Sequence, residues 1–109
     1  MLVNTLEGAA DWLRTHFDPQ AARDLSCVVQ IDLSGPAGGR LHVRIDGVRL
    51  AVEAGSARKP DLVLRVAACD YYALLARREN AELLLMDGRM EIEGLLHLAL
   101  KMRSLFPLG

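Results

Sequence analysis

The residues able to do chemistry are few, and their spacing does not suit catalysis. Nucleophilic hydrolysis needs a nucleophile, a base and a group that orients the base. The histidines are His16 at the end of a helical segment, His42 on the polar side of an alternating segment, and His97 among the polar residues of the last helix. The spacing sets His42 opposite Asp32, which reads as a surface cross-strand contact. No G-x-S-x-G elbow, no His/Cys/Asp cluster at metal-ligand spacing and no glycine-rich phosphate loop occurs. Gly35 to Gly39 joins two strands and does not lead a strand into a helix. Cys27 and Cys69 lack C-x-x-C spacing and read as two buried, small apolar residues. No catalytic residue, metal ligand or cofactor is expected.

Tyrosines and arginines remain. Tyr71 or Tyr72 could present a hydroxyl to the polar end of an apolar ligand, or one covers the core edge while the other faces solvent. Arg77, Arg78 and Arg103 either face anionic groups at the mouth of a pocket or are solvated helix ends. An enzyme using Asp70 with one of the tyrosines as acid and base ranks last, because no orienting partner is visible.

Composition narrows the class further. The chain has 109 residues, 51% hydrophobic and 25% charged, as one globular domain would. Area scaling buries about 65% of the unfolded surface, enough for a core without staples. A formal charge of −1 excludes nucleic-acid binding by blanket phosphate neutralisation. No apolar run reaches membrane-spanning length. The start, Met1-Leu2-Val3-Asn4, has no secretion-signal character, and Phe106-Pro107-Leu108-Gly109 is no peroxisomal address. A cytoplasmic location is therefore expected. Eleven arginines against two lysines, with abundant Ala and Leu, suggest a GC-rich, bacterial source.

The elements follow from periodicity. Asn4 to Phe17 predicts a helix, with Asn4 as cap and Glu7 in the capping-box position. Asp18-Pro19 predicts a short helix over Pro19 to Asp24. From Leu25 to Ala67 the period is two: Cys27, Val29, Ile31 and Leu33; Leu41, Val43 and Ile45; Val48, Leu50 and Val52; Leu62, Leu64 and Val66. Such alternation belongs to half-buried antiparallel strands. Asp46-Gly47 predicts a hairpin turn, with Ile45 opposite Val48, Val43 opposite Leu50, Leu41 opposite Val52, and Arg44 facing Arg49 unfavourably. Helices are predicted at Asp70 to Arg78, Ala81 to Met86 and Leu95 to Phe106, and a last strand at Gly88 to Gly94. The order is helix, four strands, helices, strand, helix. One sheet face is polar, so the helices cover the other. The fold class is α+β, a five-stranded, mainly antiparallel sheet covered on one face.

The helices carry more apolar surface than this layout needs. Leu95, Leu98, Ala99, Met102, Leu105 and Phe106 form one stripe, and Leu96 and Leu100 form a second flank. Leu83 to Met86 is apolar all round, and Tyr71, Tyr72, Leu75 and Ala76 make a third surface. Either these surfaces cover one another or they enclose a space fit for a lipid-sized ligand. Trp12 either packs under the sheet or forms an exposed patch, which would support a homodimer or docking to an enzyme.

At this point the residues resemble a known family. Pro60-Asp61-Leu62, Asp70-Tyr71 with Ala73-Leu74-Leu75, and Gly88-Arg89-Met90-Glu91-Ile92-Glu93-Gly94 leading into Leu98-Ala99-Leu100-Lys101-Met102 are similar to the sterol carrier protein 2 (SCP-2) domain. The most specific part is G-[KR]-[LM]-x-I-x-G before a leucine-rich helix. Phe17-Asp18-Pro19, Ser34-Gly35 and Asp46-Gly47 agree in layout, so the likeness covers nearly the whole chain. It implies an apolar tunnel that accepts a fatty acid, acyl-CoA, sterol or isoprenoid without catalysis. Its expected lining is Tyr72, Leu75, Leu85, Met86, Met90, Ile92, Leu95, Leu98, Met102, Leu105 and Phe106. It also implies an alternative role, presenting a polyprenyl or acyl intermediate to a biosynthetic enzyme complex. Three departures stand out: Leu95 where bacterial relatives often have Asp, Ala81 in place of Pro, and Arg77-Arg78 where Gly is usual.

Overall fold

The computed structural model describes residues 3–107. Its elements are α1 (Leu6–His16), β1 (Ser26–Ser34), β2 (Gly39–Asp46), β3 (Arg49–Ala54), β4 (Leu62–Ala67), α2 (Ala68–Leu75), α3 (Ala81–Met86), β5 (Met90–Gly94) and α4 (Leu96–Leu105). The predicted order is the observed one. The strands form one sheet in the order β3-β2-β1-β4-β5. Only β1 and β4 run parallel; the other neighbours are antiparallel.

Alternation decides which face is buried. Val29, Ile31, Val43, Ile45 and Leu62 point into the core and are almost wholly buried, as period-two side chains on one face must be. The helices lie over that face: α1 on β2 and β3, α2 on β1 and β4, and α4 on β4 and β5, with α3 beside β5.

The connection from β3 to β4 carries no helix, yet it returns β4 parallel to β1. It is held by polar side chains instead. The Ala57 amide donates to Gln30 Oε1 (3.0 Å), while Gln30 Nε2 donates to Asp32 Oδ1 (2.9 Å). Gln30 is buried at 8% exposure with its amide satisfied on both sides. Asp61 closes the crossing. Its amide donates to the Val28 carbonyl (2.8 Å) and its carboxylate accepts from the Val28 amide (2.8 Å).

Several expectations are corrected. The β2–β3 hairpin pairs Asp46 with Arg49, Ile45 with Leu50, Val43 with Val52 and Leu41 with Ala54. The connecting pair is therefore Gly47-Val48 rather than Asp46-Gly47. One positive φ, 60° at Gly47, suffices, and Val48 is left 71% exposed. The physical gain is electrostatic: Arg44 now faces Ala51, and Arg49 faces Asp46. His42 sits opposite Gln30 rather than Asp32, with Nδ1 3.0 Å from the Gly55 carbonyl oxygen. Asp32 faces Arg40 instead.

The cap of α1 is Thr5 rather than Asn4, its side chain accepting from the Gly8 amide (3.0 Å). Pro19 to Asp24 forms consecutive turns, not a helix. Asp18 accepts from the Gln20 amide and Asp24 takes a φ of 63°, so the chain leaves before a helix can propagate. Cys69 is exposed on α2, whereas Cys27 is buried. Burial and the Asp61 carboxylate push the Cys27 thiol above its ordinary value.

Candidate functional site

The glycine-containing motif before α4 sets the geometry of the site. Gly88 is the left-handed residue (φ 76°) that ends α3: its amide donates to the Leu85 carbonyl (3.2 Å) and the Arg89 amide to Leu84 (2.9 Å). That pair of bonds is a Schellman motif. Arg89 then gathers three carboxylates, Glu79 (3.0 Å), Asp87 (3.1 Å) and Asp70 (3.4 Å). The hydrogen bond to Glu79 leads the causes that raise its pKa. This one guanidinium joins β5 to α2, to the loop after it and to the end of α3. Gly94 (φ 114°) lies against β4 so closely that a Cβ there would collide with the Asp61 carbonyl oxygen.

Backbone hydrogen bonds fasten both ends of the final helix. At its start, the Leu95 amide donates to the Asp61 carbonyl (3.0 Å). At its end, the Leu105 carbonyl accepts from the Asp18 amide (2.8 Å). Leu98, Leu105 and Phe106 bury their side chains in the core. Leu95 occupies the N-cap without any side-chain cap. Pinned in this way, α4 leaves a gap between itself, α2 and α3.

That gap is an apolar cleft of about 740 Å³, inside the range of ordinary small-molecule sites. Its buried inner wall is Leu13 of α1, Leu64 of β4, Tyr71 and Leu74 of α2, Met90 of β5, and Phe106. Ala81, Leu85, Ile92, Ala99 and Met102 form the sides. Leu96, Leu100, Glu79, Asn80, Glu82 and Arg103 form the rim. The rim charges are paired: Glu79 with Arg89, and Glu82 with Arg103. Asn80 caps α3 by accepting from the Glu82 amide (2.8 Å). The space opens to solvent at this rim, so the expected tunnel takes the form of a cleft.

Of the residues expected on its wall, Leu85, Met90, Ile92, Met102 and Phe106 are there. Leu75, Leu98 and Leu105 are buried elsewhere in the core, and Met86 and Leu95 are exposed, at 81% and 47%. Tyr72 is turned away, its hydroxyl donating to the Ala37 carbonyl (2.6 Å). Tyr71 is the tyrosine on the cleft. Burial, with Tyr72 beside it, raises its pKa far above the ordinary phenol value. Leu13, Leu64 and Leu74 were not anticipated, since nothing local in a sequence says which core positions border a void. Leu96 and Leu100 were legible as the second apolar flank of α4; they line the rim and stand 67% and 72% exposed.

A second, more polar groove of about 570 Å³ lies toward the opposite side of the sheet, bordered by Asp32, Arg40, Arg65, Asp70, Arg89 and Glu91. Its arginines are taken up by Asp32, Glu93 and the Arg89 cluster. Among the described residues no group of His, Cys, Asp and Glu could hold a metal ion. Among the described residues no helix is long and apolar enough to cross a membrane.

A helix-covered sheet with an apolar cleft beneath its last helix has room for a hydrophobic molecule. The chain belongs to the SCP-2 sterol transfer family, whose sequence model matches residues 10–107. Among solved structures it is similar to palmitated SCP2L2 from Aedes aegypti, at 25% identity and a TM-score of 0.70, covering 95% of this chain and 93% of that one. It is also similar to UbiJ-SCP2, a ubiquinone synthesis protein, at 18% identity and a TM-score of 0.71, covering 91% and 90%. The inverting sec-alkylsulfatase Pisa1 from Pseudomonas sp. contains the same fold, at 14% identity and a TM-score of 0.80. There the match covers 94% of this chain but only 16% of the enzyme. No curated protein matches the chain in sequence.

Proposed function

We propose that the protein binds a single long-chain lipid in the cleft under α4 and carries it without chemical change. The observation that carries this reading is the cleft itself: about 740 Å³ with an inner wall that is hydrocarbon apart from one thioether and one hydroxyl. Each methylene moved from water to such a wall gains about 0.8 kcal/mol, so a sixteen-carbon chain offers ~12 kcal/mol gross. Association and ordering costs remove much of that and leave micromolar to nanomolar affinity. The palmitate carried by the Aedes aegypti relative supports an acyl ligand. Native mass spectrometry of delipidated protein mixed with palmitic acid tests the reading. One bound acyl chain per protein is expected. Failure to take up palmitate, a sterol or an isoprenoid at micromolar concentration would overturn it.

A second reading is presentation of a polyprenyl or acyl intermediate to a biosynthetic enzyme. It is favoured by the apolar side chains left exposed beside the cleft, Leu96, Leu100 and Met86. Stable co-purification with an enzyme from the native host is its signature; recovery only as a free, lipid-loaded protein contradicts it.

A further inference from the structure

Among the described residues, the inner wall of the cleft carries one hydrogen-bonding side chain, and its hydroxyl has no partner there. Tyr71 shares this wall with Leu13, Leu64, Leu74, Met90 and Phe106 and is itself only 4% exposed. Among the described residues, Tyr72 spends its hydroxyl on the Ala37 carbonyl, whereas the Tyr71 hydroxyl has no partner. Nor is that oxygen sealed off, because among the described residues no side-chain polar atom is both enclosed and unbonded. Tyr71 borders the cleft, and the cleft is the space into which its hydroxyl can donate. Burial keeps the phenol in its protonated form, so it is a permanent donor.

A buried donor that meets only hydrocarbon pays its desolvation cost without return, whereas an acceptor oxygen placed against it recovers that cost. The asymmetry decides which lipids the cleft prefers. The geometry points to Tyr71 as the specificity-determining residue of the cleft, donating a hydrogen bond to an oxygen of a lipid that enters with its oxygenated end first. This inference rests on the lipid-binding reading and narrows it to lipids whose leading end bears a carbonyl, hydroxyl or protonated carboxyl oxygen, since one neutral donor does not offset burial of a charge. At the rim, the Arg103 guanidinium is bonded to Glu82, and the Asn80 carboxamide oxygen to the Glu82 amide.

Two fluorescent probes separate the possibilities: cis-parinaric acid, which carries a carboxyl group, and diphenylhexatriene, which has no heteroatom. Both are titrated into the delipidated wild-type protein, Tyr71→Phe and Arg103→Gln. Tyr71→Phe is expected to weaken parinaric acid about 3- to 10-fold, the worth of one hydrogen bond. It should leave diphenylhexatriene unchanged or slightly tighter, which also shows that the cleft is intact. Equal effects on both probes, or none on either, overturn the inference while leaving lipid binding standing. Loss of parinaric acid through Arg103→Gln and not through Tyr71→Phe also overturns it, because the carboxylate then sits at the rim. If the wild-type protein binds neither probe, the lipid-binding reading fails and this inference falls with it.

Discussion

Glu82 on α3 and Arg103 on α4 join across the mouth of the apolar cleft, carboxylate to guanidinium. Both side chains are 65% exposed, so the pair contributes little to overall stability. Its consequence is local. It connects the two helices that flank the opening, one of them a single six-residue segment.

Breaking this pair should act on exchange rather than on folding. Glu82→Gln is expected to speed displacement of a bound acyl probe severalfold in stopped-flow mixing, while stability changes by less than about 1 kcal/mol. Raising salt from about 0.1 M to about 1 M should accelerate exchange in the wild type and have less effect in the variant. Identical exchange rates for the two proteins at low salt would show that the pair does not gate the mouth.

The two motif glycines should tolerate substitution unequally. Gly88 has a positive φ but open space around its Cα, so Gly88→Ala meets only backbone strain of about 1 kcal/mol. Gly94 combines a positive φ with backbone of Asp61 and Leu62 where a Cβ would stand. Strain and collision together put Gly94→Ala at about 2–4 kcal/mol. Comparing urea midpoints of the two variants checks the order, and a Gly88 variant as damaged as the Gly94 variant would contradict it.

Arg77 ends α2 in the left-handed region, with φ at 63°. Its amide donates to the Leu74 carbonyl (3.1 Å), and the Arg78 amide donates to Ala73 (2.8 Å). That is the position a helix ordinarily gives to glycine. Arg77→Gly relieves strain of about 1–2 kcal/mol and loses about 0.4–1 kcal/mol through the looser unfolded chain. A net gain of about 0.5–1 kcal/mol is expected by urea unfolding, with lipid affinity unchanged. A loss of stability would mean that Arg77 makes contacts outweighing its backbone strain.

Period-two patterning made the sheet legible, because a single buried face forces every second residue of Cys27 to Leu33 and Leu41 to Ile45 inward. The hairpin register was less legible. Asp-Gly is a strong turn pair, but Gly47-Val48 also closes the hairpin and separates Arg44 from Arg49, a preference set by the neighbouring strand rather than by the turn. The stripe on α4 holds Met102 and Phe106, which line the cleft, yet it could not say that Leu98 and Leu105 would face solid core. That depends on where Asp18 and Asp61 pin the helix. Likewise, Tyr71 and Tyr72 are adjacent in sequence, and only the approach of the Ala37 carbonyl decides which hydroxyl is taken. Leu95 sat on the predicted stripe but is exposed because the chain turns at Gly94 immediately before it.

A lipid held under α4 needs that space free of side chains, so filling the space should block binding. Met102 lines the cleft from α4 and is only partly buried, so Met102→Trp projects an indole into the space without overfilling the core. Leu98→Trp, one turn earlier, enlarges a side chain that is 1% exposed and should instead cost about 1–3 kcal/mol of stability. Titrating delipidated Met102→Trp with cis-parinaric acid should give at least about tenfold weaker binding, equivalent to ~1.4 kcal/mol, at near wild-type stability. A folded Met102→Trp protein that binds the probe as tightly as wild type would contradict the account.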